Sequence, residues 1–127
     1  MSLRDDVLMR SIHQLVEALL RAVGLRKKQD LPAAEQALGE GLSSLGLPLE
    51  LLARVEVATL RSLVADPTRR ALLAGALTEL AALRDAQGRA GDALALRERA
   101  AALLDDVDPA SLPEPVRDAL TRARMPW

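Results

Sequence analysis

Few residues in this chain could do chemistry, and the first to weigh is its single imidazole, His13. General acid–base catalysis needs a partner group held within hydrogen-bond reach. His13 falls at the border of an apolar helical stripe, beside Met9 and Leu20, and the sequence offers it no such constellation. It reads as a boundary histidine. Asp105, Asp106 and Asp108 cluster in sequence, but they lack the alternating ligands, central Gly and terminal Glu of a calcium loop. They read as a solvated helix end. Two arginines are harder to place. Arg84 falls beside Leu73 and Leu77, and Arg97 in the apolar arc of Ala93, Leu94 and Leu104. A buried, unpaired guanidinium is strongly unfavourable. Either their stems cover apolar surface while the heads reach water or local acids such as Asp85 or Glu98, or they line a groove and bind a partner's carboxylate. Trp127 is the remaining candidate, because Trp is enriched at binding hot spots. It docks on its own chain or anchors into a partner.

Other chemistries find no residues to carry them. There is no cysteine, hence neither disulfide nor thiolate metal site. No phosphate-binding Gly loop, nucleophile elbow or paired metal ligands appear. The expectation is no catalytic set, no metal and no cofactor: not an enzyme. Net charge is −1, from 17 basic and 18 acidic residues, so no global field draws nucleic acid or a membrane surface. The clusters Arg26-Lys27-Lys28, Arg69-Arg70 and Arg117/Arg122/Arg124 are separate and interleaved with acids, without stacking aromatics. No run approaches the roughly 18 apolar residues of a membrane span. Met1-Ser2-Leu3-Arg4-Asp5-Asp6 lacks the basic start and apolar core of a signal peptide. A cytoplasmic location is the expectation. Arg far outnumbers Lys, which occurs only at positions 27 and 28, and Ala, Leu and Gly abound; the bias suggests a GC-rich bacterial gene.

The elements that must position these residues are helical. Half of the residues are hydrophobic, nearly all Leu, Ala and Val, with one Trp and no Phe or Tyr. Leu and Ala favour helix, and the aromatic and β-branched residues that favour strands are scarce. The pattern predicts about six helices. A long one runs over 3–28, with Ser2 as cap. A second follows Asp30 and Pro32 and ends at Gly46, closing a first hairpin over 1–46. Gly39 and Gly41 lie inside it, as close crossing of another backbone requires. A third over 48–65 is apolar on more than half its circumference and therefore sits centrally. Asp66-Pro67 opens a fourth that lasts to Gly88, and a fifth follows to Asp106, giving a hairpin over 67–106. A short helix covers 113–124. Connections this short make consecutive helices antiparallel neighbours in one domain, 1–127.

Leu77, Leu80, Ala81, Gly88, Ala93 and Ala100 stand as they do in a tetratricopeptide repeat (TPR), and a weaker copy occurs at Ala22, Asp30-Leu31, Ala34, Leu38 and Gly41. Over about residues 1–106 the order of elements also resembles an uncharacterised bacterial family of short TPR-like proteins. The departures are Arg84, Ala90 and Arg97, where the repeat usually carries large or aromatic residues. The resemblance implies an all-α fold of antiparallel hairpins in a right-handed, solenoid-like stack, and some TPR domains bind carboxylates with basic residues. The expected function is a small scaffold or adaptor binding a protein segment in a helical groove through Arg84, Arg97 and Trp127. A homo-oligomer whose main partner is itself is the alternative, and an enzyme, or a subunit contributing to an active site, is the least supported.

Overall fold

The computed structural model describes residues 3–125. Their order is α1 (Leu3–Lys27), α2 (Leu31–Ser43), a 3-10 turn (Leu49–Leu51), α3 (Val57–Leu63), α4 (Pro67–Ala86), α5 (Ala90–Leu103), a second 3-10 turn (Pro109–Ser111) and α6 (Glu114–Arg122). No strand occurs among the described residues, so the all-α expectation holds. The expected Ser2 cap and Trp127 lie outside the described residues.

The start signals work through the chemistry that makes them signals. The Ala33 N–H donates to Asp30 Oδ1 at 3.3 Å, and the Arg69 N–H to Asp66 Oδ2 at 2.9 Å. Each cap satisfies an orphan donor of the first turn, where proline has none to lose. Gly88 closes the α4–α5 turn at φ 78°, a left-handed conformation that a side chain would strain. The three-residue connections 28–30 and 87–89 fold α1 on α2 and α4 on α5 as antiparallel hairpins.

The centre of the molecule is α4. Every residue from Arg70 to Ala81 is buried, because α1, α2, α5 and α6 all pack on this helix. That overturns the expectation of a central third helix over 48–65. The segment is instead a 3-10 turn, an irregular stretch and the short α3. In a continuous helix the Leu52 carbonyl would accept from the N–H four residues on, but Glu56 is extended (φ −60°, ψ 144°) between Val55 and Val57. The guanidinium of Arg99 takes that carbonyl, its Nε donating to Leu52 O at 2.8 Å. The apolar faces of 48–65 are thus only partly used: Leu52 and Leu60 are sealed in, while Leu63 is 60% exposed.

Close approach requires small residues at two crossings. A Cβ on Gly41 would collide with the Ala18 side chain of α1, and one on Gly75 would lie 2.6 Å from Leu120 Cδ2 and 3.0 Å from Leu19 Cδ2. Gly39 faces open space, which corrects its assignment to a crossing. The two glycines of α2 should therefore answer oppositely to the same change. Gly39→Ala should gain up to about 1 kcal/mol of helix propensity. Gly41→Ala should lose about 1–2 kcal/mol, because parting α1 from α2 outweighs that gain. Urea denaturation of the two variants, side by side, checks both signs.

Candidate functional site

Arg84 and Arg97 do not form a carboxylate-binding pair. Arg84 Nη1 donates to Glu35 of α2 and, at 2.9 Å, to Gln87 Oε1. Arg97 Nη2 donates to Asp85 Oδ2 at 2.5 Å across the α4–α5 hairpin. Both heads are taken by acids of their own chain. The apolar arc expected on α5 also differs from the line it buries. Its buried line is Ala93, Leu96, Ala100 and Leu103, whereas Leu94 and Arg97 lie outside it. Leu and Ala occur all round this helix, so periodicity alone cannot choose the line that faces α4. The two pairs differ in burial: the Arg84 side chain is 15% exposed, the Arg97 side chain 44%. Arg97→Ala should cost less than about 1 kcal/mol, as for other exposed pairs. Arg84→Ala, which strips a hydrogen-bonded, half-buried acid of its partner, should cost about 1.5–3 kcal/mol. Thermal melts of the two variants rank them.

His13 is exposed. Asp106 is gripped at its two oxygens by Arg70 Nη2, at 2.9 and 3.0 Å, and Arg61 Nη2 reaches its Oδ2 at 3.0 Å. Asp108 accepts from the Ala110 N–H at 3.0 Å and caps the second 3-10 turn. Glu79 is fully buried on α4, where a carboxylate needs a partner. Both its oxygens receive Arg26 Nε of α1, at 2.9 and 2.5 Å. This hydrogen bond, and then the charge of Glu79, hold the Arg26 pKa above its ordinary value against an opposing effect of burial. Because the cation is the favoured form, its contribution is complete from neutral pH up to the usual arginine range and is lost as the pH rises through that range in strong alkali. Arg26→Met should cost about 3–5 kcal/mol by leaving the Glu79 carboxylate without a counter-charge, and Arg26→Met/Glu79→Met should recover most of the loss. Urea midpoints of the single and double variants test this.

The crease between α1 and α4 is filled by α6, which buries Val116, Ala119 and Leu120 there. Open concavities lie elsewhere. One, between α1 and α2, is polar, with Gln14, Glu17, Arg21 and Glu40 on its walls. Another, of about 400 Å³, runs between residues 49–54, α4 and α5. Its apolar floor is Leu49, Ala53, Leu80, Ala95 and Leu96. Arg54, Arg84, Arg89 and Arg99 line it against the acids Glu50 and Asp92. Arg84 is held by Glu35, and Arg89 Nη2 pairs with Asp92 Oδ2 at 2.7 Å. Arg54 and Arg99 have no carboxylate partner among the described residues. Positions 92, 95, 96 and 99 share one face of α5 and span about 10 Å at a helical rise of 1.5 Å per residue.

Sequence reasoning named Arg84 of this set and missed Arg54 and Arg99. The spacing Asp92, Ala95, Leu96, Arg99 was the available signal, a mixed apolar and basic line on one helical face. It was unreadable without the 49–54 wall opposite. Comparison with known protein families, curated proteins and solved structures returned no match, so the site rests on this chain's own geometry.

Proposed function

We propose that the protein is a non-enzymatic docking module, TPR-like in its hairpins, that holds a short protein segment between residues 49–54, α4 and α5. The observation that carries this reading is the composition of that groove, an apolar floor edged by four arginines and two acids. Apolar area supplies the affinity, and a net positive edge selects a segment with acidic residues beside apolar ones. Gly88 at the turn, and Ala93 and Ala100 buried where α5 meets α4, support the TPR-like reading of the second hairpin. The stacking of the hairpins as a right-handed solenoid belongs to the same proposal.

Ala95 offers the cleanest test, since it is exposed on α5 and lines the groove. Ala95→Glu places an acid among the arginines and fills the floor. Exposed substitutions of this kind change stability by about 0.5 kcal/mol or less. In fluorescence polarisation with labelled peptides of Leu and Glu, the variant should bind at least about tenfold more weakly than wild type, the effect of one lost charged hydrogen bond. Equal binding by both proteins would refute the groove as the site. Self-association is the competing reading, because Leu63 and Leu94 are 60% and 59% exposed. Light scattering that finds a stable dimer disrupted by Ala95→Glu would transfer the groove to a second copy of the chain.

A further inference from the structure

Three of the four arginines at the groove are already committed. Arg84 is held by Glu35 and Arg89 by Asp92. Arg99 donates through Nε to Leu52 O at 2.8 Å, and its Nη2 is shut away from the surface. Arg54 differs from all three. It is exposed on the wall, lines the groove and pairs with no carboxylate among the described residues, Glu50 four residues before it included. Only two residues separate Arg54 from Leu52, a reach of at most about 7 Å. The fixed charge of Arg99 and the free charge of Arg54 therefore stand toward the same part of the groove. Like charges repel, and an acid placed on the outer one offsets that repulsion. Arg54 and Arg99 against the unpaired Glu50 leave a single positive charge. That suits one carboxylate on a segment whose apolar side chain rests on Leu49 and Ala53. A run of phosphates would exceed that charge and meet Glu50 and Asp92 as repulsive neighbours.

We propose that Arg54 is the specificity-determining residue of the groove, its exposed guanidinium pairing with an Asp or Glu side chain of the docked segment. This rests on the docking function above and names the side chain that selects the acid. The probes are short labelled peptides of Leu and Glu, and the same peptides with Gln in place of Glu. They are titrated into wild type, Arg54→Gln, Arg54→Lys and Arg117→Gln. Arg54 is exposed, so its replacement should leave the fold intact. Wild type should bind the Glu form about fivefold more tightly, the upper end for an ion pair that starts exposed. Raising the salt concentration should shrink that ratio. For Arg54→Gln it should fall to within about twofold, while Arg54→Lys, which keeps the charge, should retain most of it. Arg117→Gln removes the same charge from an exposed position on α6, outside the groove, and should keep the wild-type ratio. Wild type that binds neither form removes the docking function, and this role with it. Three results overturn the role of Arg54 and leave docking standing: equal binding of both forms by wild type, a preference retained by Arg54→Gln, or one lost equally in Arg117→Gln. Tighter binding of a single-stranded oligonucleotide than of the Glu peptide overturns the acidic segment as the ligand.

Discussion

Everything in this molecule is arranged around a helix with almost no wet face. From Arg70 to Ala81, α4 is covered by α1, α2, α5 and α6. Such a helix must be slim where others cross it, which is why Ala71, Ala74, Gly75, Ala76 and Ala81 alternate with leucines rather than rings. At Gly75 even one methyl group would press on Leu19 and Leu120. Interiors packed to crystal-like density do not give way at such points. The near absence of aromatic residues follows: backbones this close leave no room for rings.

A core of small aliphatic side chains says little about how its helices are oriented, and arginine supplies what is missing. Arg26–Glu79 ties α1 to α4, Arg84–Glu35 ties α4 to α2, and Arg97–Asp85 spans the second hairpin. Arg61 and Arg70 meet on Asp106, and Arg99 reaches the Leu52 carbonyl. Each contact has a direction and a distance that dispersion between methyl groups lacks. The buried Glu79 pair shows the cost as well as the use, since replacing both partners with apolar groups is often no loss in stability. Its value lies in fixing which faces of α1 and α4 meet.

The local chemistry of the chain could be read directly. Asp30 and Asp66 cap the helices they precede, Gly88 turns the second hairpin, and α1 ends within a residue of its expected C-terminal bound. What could not be read was which apolar face each helix buries when several are available. On α5, Leu94 and Leu96 look alike in sequence, yet only Leu96 is buried. The segment 48–65 has a helical pattern throughout, yet breaks where Arg99, far along the chain, takes one of its carbonyls. The candidate site suffers from the same limit. Arg84 stands out as a charge on an apolar line, whereas Arg54 and Arg99 become notable only when the wall and α5 are seen together.

The makeup of that wall separates two stabilities that are usually treated as one. Between Leu49 and Glu56 the chain is held by short-range turn bonds, the buried Leu52 side chain, the partly buried Leu49 and Val55, and one arginine contact. The hairpins beneath have complete helical ladders. Local openings draw on the weakest cooperative unit rather than on the whole fold. A wall held in this way should open at lower cost than the hairpins beneath it, so that warming loosens the groove before it melts the helices.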